Sequence, residues 1–145
     1  MIELNDGRFV SESNAILNYL ASNSTLLSSD PFLHAKVLQW QFFEQYSHEP
    51  YIAVARLINK YLGMPEDRKA NFKSKQFGEN KALSVMENQL GKTPYLVGHN
   101  LTIADISPYG YARVTHDGGF DLSKYSAVQA WIFRVASHLK YVGMG

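Results

Sequence analysis

From residue 31 onward every strong apolar repeat in this chain has helical spacing, and only the first ten residues carry a strand pattern, so the fold has to be mainly α. Pro31 can occupy the first turn of a helix capped by Asp30, and Leu33, Val37, Trp40 and Phe43 follow at intervals of four, three and three. Pro50 should bend that helix rather than end it, because Tyr51 to Ile58 keep the pattern up to a stop at Gly63; a long helix over 31–62 is predicted. Pro65-Glu66-Asp67 opens a second helix with acid in its first turn, and Leu83, Met86 and Leu90 mark its buried stripe before Gly91. A third starts at Leu101-Thr-Ile-Ala-Asp105 and is expected to stop at Asp117-Gly118-Gly119. The last carries Val128, Trp131, Ile132, Val135 and Leu139.

What precedes residue 31 differs in kind. Ile2-Glu3-Leu4 and Arg8-Phe9-Val10 flank Asn5-Asp6-Gly7, whose residues tolerate positive φ, which predicts a β-hairpin. A short helix is expected from Ser13, with Ala15, Ile16, Leu17, Tyr19 and Leu20 at helical spacing. Ser22 to Asp30 is rich in Ser and Asn without periodicity and reads as a linker. The expected organisation is therefore a small segment over 1–22 and an all-helical unit over 31–145.

Composition narrows function by exclusion. The 145 residues contain no cysteine, so neither a disulfide framework nor a thiolate site is available, and an intracellular, cytoplasmic setting is expected. The net charge of +1 gives no reason to expect nucleic acid, and the basic excess between Arg56 and Lys81 is read as a solvated helix face. No apolar run approaches the ~20 residues of a membrane span. His34, His48, His99, His116 and His138 form no recognised metal pattern, so no metal is expected. Tyr46, Tyr51, Tyr109 and Tyr111 bear hydroxyls, but tyrosines at helical spacing are commonly packed with one satisfied hydrogen bond.

One local motif has a mechanical reading. With Thr102 as N-cap, its hydroxyl can accept from the Asp105 N–H while the Asp105 carboxylate reaches back to the Thr102 N–H, with Leu101 and Ile106 as the apolar staple. Thr102 and Asp105 are thus structural cap candidates, and losing the cap should cost about 0.5–2 kcal/mol.

The run Asp6-Gly7-Arg8-Phe9-Val10-Ser-Glu12-Ser13-Asn14-Ala15-Ile16-Leu17 resembles the last strand and third helix of the thioredoxin-like domain of the glutathione transferase superfamily. Leu101-Thr-Ile-Ala-Asp105 and Val128-Gln-Ala-Trp131 resemble signatures of that family's C-terminal helical domain, and Gln45-Tyr-Ser-His-Glu-Pro50 and Gly118-Gly-Phe-Asp-Leu122 resemble bacterial members. The resemblance spans the whole chain. It implies a glutathione transferase C-terminal helical bundle preceded by a partial thioredoxin-like hairpin and helix.

The same resemblance sets the functional expectations. Family members begin with a strand–helix–strand unit carrying the residue that activates the glutathione sulfur, and no such unit precedes Met1. The chain is accordingly expected to be an N-terminally shortened, inactive transferase with no catalytic residue of its own. Such shortening should also expose the edge of the first strand and the underside of helix 13–21, favouring self-association. The parent would conjugate glutathione, as co-substrate, to small apolar electrophiles in detoxification. Glu12 and Ser13 are the glutathione-binding candidates: a helix N-terminus and a hydroxyl suit the γ-glutamyl carboxylate, and Glu12 suits its ammonium. The bland alternative is an N-cap serine beside a solvated glutamate. Glu49, Tyr51, Arg56 and Tyr111 are candidates for the electrophile pocket or the interface of a homodimer, or simply surface and core residues. The competing functional reading is a non-catalytic, glutathione-transferase-like module for protein association.

Overall fold

The computed structural model describes residues 1–138. Strand β1 (Ile2–Glu3) pairs antiparallel with β2 (Phe9–Val10), with Ile2 opposite Val10 and Glu3 opposite Phe9. The connection closes through Gly7, at φ 82, while the Asp6 carboxylate accepts from the Arg8 N–H at 3.1 Å and its Nε at 2.8 Å. Helix α1 (Ser13–Ala21) follows. It buries Ala21 in the apolar cluster shared by the later helices and leaves Tyr19 and Leu20 exposed.

Helices α2 (Pro31–Phe43) and α3 (Glu49–Arg56) form the predicted long helical stretch, and Asp30 caps it through the Leu33 N–H at 2.8 Å. The expected bend takes the form of two π-helical turns, Glu44–His48 and Leu57–Tyr61. Pro50 explains the first. It has no N–H to give the carbonyl four residues back and its ring crowds that carbonyl, so a wider turn relieves both problems. The wider turn has a second effect. Residues spaced by four drift about 40° per step around an α-helix, and a π turn removes much of that drift. Trp40 is buried as the repeat predicts, and the buried positions run Val37, Trp40, Gln41, Glu44, His48, Ile52, Ala55, Ile58, with Leu33 and Phe43 displaced toward the surface.

Helix α4 (Lys69–Leu90), entered through a 3₁₀ turn over Glu66–Arg68, buries Leu83, Met86 and Leu90 as the sequence predicts. Helix α5 (Ile103–Ala112) stops five residues before the expected Asp117-Gly118-Gly119 signal. The Thr115 hydroxyl binds the Ala112 carbonyl at 3.0 Å, and a 3₁₀ turn over Thr115–Gly118 brings Asp117 back toward α3. Arg56 Nε and Lys60 Nζ hold the Asp117 carboxylate at 2.9 and 2.8 Å, and Asn59 donates to its carbonyl. Helix α6 (Ser126–Ala136) buries Val128, Trp131 and Val135. Leu139, the last position of that stripe, lies outside the described residues. No helix among the described residues is long and apolar enough to cross a membrane.

The start of α6 is capped from a distance. Tyr125, its N-cap, makes no side-chain cap bond. Glu87 of α4 accepts instead from the N–H groups of Ala127 at 3.0 Å and Val128 at 2.9 Å, and from the Ser126 hydroxyl at 3.3 Å. A carboxylate from another helix thus satisfies the donors that a local side chain usually takes. Glu87→Ala should lower stability by about 1–2 kcal/mol, read as an earlier urea midpoint at unchanged slope, with little change in helix content.

Candidate functional site

The exposed start of α1 is backbone-strained. Glu12 sits at φ 66 and ψ 123, a region sparsely populated by any residue with a Cβ, and no side chain caps the helix. Ser13 is accordingly the first residue of the helix rather than its N-cap, a one-position correction to the bland alternative for it. Both Glu12 and Ser13 are exposed. The first N–H groups of α1 have no intrahelical acceptor, so the positive end of the helix dipole faces outward beside a hydroxyl and a carboxylate.

The next residue inward anchors that strained turn. Asn14 Nδ2 donates to Glu44 Oε2 at 3.2 Å, and its Oδ1 lies 2.7 Å from the Ser107 hydroxyl, which is also 3.1 Å from Glu44 Oε2. Asn18, one turn on, donates to Gln41 Oε1 at 2.7 Å. The π turn thus supplies a buried carboxylate that ties α1 to α2 and α5, so Glu12 and Ser13 are displayed from a fixed support.

One turn beyond Ser107 on α5 is Tyr111, whose hydroxyl lies 3.4 Å from Glu49 Oε1. Burial and then the Glu49 charge push the Tyr111 phenol above its ordinary value, so it stays protonated and a donor. These two sequence candidates come together. Arg56 does not join them as a free cation, because Asp117 holds it, and the Lys60 and Arg56 bonds keep the Asp117 carboxyl below the usual range. Tyr51 points elsewhere: its ring packs over Gly78 of α4 with the Lys75 ammonium 5.3 Å from its centroid. Tyr46 is exposed, and Tyr109 packs edge-on against Trp131 at 6.0 Å.

Thr102 and Asp105 form the capping box of α5. Asp105 does more than cap. Its Oδ2 accepts from the Thr102 N–H and hydroxyl at 3.0 and 3.1 Å, and its Oδ1 from the Leu96 N–H at 2.9 Å and the Trp131 indole at 3.0 Å. Burial raises its pKa, opposed by those four donors.

Sequence reasoning missed the buried polar line of the π turn. His48 Nδ1 lies 2.7 Å from Glu79 Oε1, both side chains fully buried, and His48 Nε2 lies 3.3 Å from the Pro108 carbonyl. Neither Glu79 oxygen nor His48 Nδ1 has an aligned hydrogen-bond partner among the described residues, so the 2.7 Å approach is an ion-pair contact. Burial opposes the charge on His48, but Glu79, the Pro108 carbonyl and Glu44 together outweigh it and raise its pKa. Burial also raises Glu79, with His48 offsetting part. The available signal was the spacing of Glu44 and His48, which continues the line of Val37 and Gln41 toward Ile52. Among the described residues no group of three or more His, Asp or Glu is arranged to hold a metal ion.

Residues 51–138 match the family model described as glutathione S-transferase, C-terminal domain. The chain is similar to a glutathione S-transferase of Pseudomonas fluorescens Pf-5 of known structure, with 57% identity and a TM-score of 0.95 over 97% of this chain and 70% of that one. It is 30% identical over 127 residues to the disulfide-bond oxidoreductase YfcG of Escherichia coli, covering 87% of this chain and 58% of that protein. It is also 34% identical over 102 residues to elongation factor 1-gamma of Artemia salina, covering 70% of this chain and 23% of that protein. The chain thus spans less than two thirds of either curated relative.

Proposed function

Because the chain belongs to the glutathione S-transferase family, we propose that its part in a cytoplasmic transferase is to bind the γ-glutamyl end of glutathione at Glu12 and Ser13 and to wall the electrophile pocket near Glu49 and Tyr111. The observation that carries this reading is the strained φ of 66 at Glu12, an exposed residue at an uncapped helix start, on a turn anchored through Asn14. Strain of about 1–3 kcal/mol persists only where surrounding structure enforces it, and such sites concentrate at ligand clamps. In this reading the α1 N–H groups and the Ser13 hydroxyl take the ligand carboxylate, and the Glu12 carboxylate takes its ammonium. Tyr111, its proton directed to Glu49, offers the pocket an accepting hydroxyl oxygen. The chain binds and orients; the sulfur-activating group is not assigned to any of its residues.

Ser13→Ala should weaken retention on immobilised glutathione by about tenfold, the loss of one charge-assisted bond, with the far-ultraviolet spectrum unchanged. Unaltered retention in both Ser13→Ala and Glu12→Ala would refute the site. A conjugation assay on this chain and on any longer reading frame containing it tests the transferase reading itself.

The second reading is a non-catalytic association module. The similarity to elongation factor 1-gamma favours it, as do the exposed aromatics: Phe42 and Tyr46 on α2 and its π turn are 70% and 84% exposed, and Phe77 on α4 is 78% exposed. A second copy of the chain covering these rings would give the proposed homodimer. Glutathione retention separates the two readings, since the association module does not need it.

A further inference from the structure

Two polar clusters share the same two elements. The π turn Glu44–His48 carries Glu44, which holds Asn14 of α1, and His48, which meets Glu79 of α4. On α5, Ser107 reaches Asn14 and Glu44 while its neighbour Pro108 offers its carbonyl to His48. We propose that the His48–Glu79 pair is a proton-held lock on the helical bundle, closed while the pair keeps its proton and loosened as rising pH removes it, and that its loosening releases α1 through Glu44.

The geometry requires the proton. His48 presents Nδ1 to Glu79 Oε1 at 2.7 Å and Nε2 to the Pro108 carbonyl at 3.3 Å, with both side chains fully buried. A neutral imidazole has one N–H and would turn a lone pair toward one of these oxygens, so the site calls for a second proton, on the other ring nitrogen or on the Glu79 carboxyl. Drawn as imidazolium and carboxylate or as imidazole and carboxylic acid, the pair is neutral with that proton and a buried anion without it. The unfolded chain holds no such proton above about pH 6.5, where its histidine is neutral and its glutamate ionised. Folding then takes up a proton, and the folding constant should fall by up to tenfold per pH unit above that point. The raised pKa of both partners has the same sign.

The other charges near the pair do not replace its proton. Glu44, on the same turn, adds negative charge. On α3, Glu49 faces Tyr111 and Arg56 is held by Asp117; on α4, Lys75 lies over Tyr51; on α5, the Asp105 carboxylate is filled by Leu96, Thr102 and Trp131.

The test is urea unfolding of the wild type and Glu79→Gln between pH 5.5 and 8.5 (about three units, bracketing the unfolded histidine), with hydrogen exchange of the α1 amides over the same range. The wild type should lose stability from pH 6.5 upward (about the free histidine value), and Glu79→Gln should lose that slope, because a neutral amide can bond a neutral imidazole. After correction for intrinsic rates, α1 protection should fall with pH in the wild type alone. A wild type with no downward slope, or a variant with the same slope, overturns the lock. A slope with pH-independent α1 protection overturns the link to α1. Should Glu79→Gln not fold, proton release on unfolding the wild type near pH 7.5 decides, about one supporting the lock and none refuting it. No ligand is involved, so the outcome is independent of the glutathione reading.

Discussion

Asp105→Ala should destabilise the chain by about 3–5 kcal/mol, well above the range for a lost cap, because its buried carboxylate accepts four hydrogen bonds from three segments. The cap to Thr102 is only one share. The Leu96 N–H fixes the loop that leads into α5, and the Trp131 indole fixes α6, so the alanine variant strands donors in both. Asparagine should rescue little. All four partners donate, and an amide presents one accepting oxygen and an NH₂ group that faces donors, leaving one pair unmet. Equilibrium unfolding of wild type, Asp105→Ala and Asp105→Asn checks this. A loss near 1 kcal/mol in alanine, or near-native stability in asparagine, would mean that Asp105 is only a local cap. At about 3 °C per kcal/mol for a chain of this size, the alanine variant should melt about 10–15 °C lower.

The same residue shows where a sequence can be read and where it stops being legible. Thr102 and Asp105 are three apart, so the box is local and follows from the side chains alone. Leu96 and Trp131 are partners that only the fold brings to the carboxylate. The rule holds elsewhere. Asn5-Asp6-Gly7 dictates its own turn, and Leu83, Met86 and Leu90 lie on a stripe fixed by helical period. Glu44, His48 and Glu79 are charged residues whose burial depends on partners 30 or more residues away, so their local sequence reads as solvated. Glu87 likewise reads as a surface acid until α6 arrives over it. The first π turn follows from Pro50 only in combination with the buried line it serves, and past the early stop of α5 Arg56 and Lys60 grip Asp117. For the candidate site, the resemblance offered Glu12 and Ser13 as candidates, and the strain at Glu12 was not legible, since φ is a property of the folded turn. Glu49 and Tyr111 were each legible as candidates; that they meet, while Tyr51 and Arg56 take other partners, was not.

Tyr51 sets the second large effect. Helix α3 packs against α4 where the Tyr51 ring covers Gly78, and a Cβ built on that glycine falls among the ring atoms, 2.7 Å from Cζ. Gly78→Val should therefore cost about 2–3 kcal/mol, even though valine is the better helix former, because the ring must leave and the two helices must part. The partner variant supplies the check. Tyr51→Ala removes the obstruction, so Gly78→Val introduced into Tyr51→Ala should cost less than 1 kcal/mol (roughly the tolerance of a volume-compensating change). The resulting coupling of about 2 kcal/mol is measurable in a double-mutant cycle. Lys75 sharpens the expectation: its ammonium lies over the same ring, so Tyr51→Phe, which keeps the face and loses the hydroxyl, should retain both the native stability and the full penalty of Gly78→Val. Additive effects in the Tyr51→Ala cycle would mean that the ring swings clear at no cost and that the α3–α4 contact is held by the buried apolar line and the His48–Glu79 pair alone.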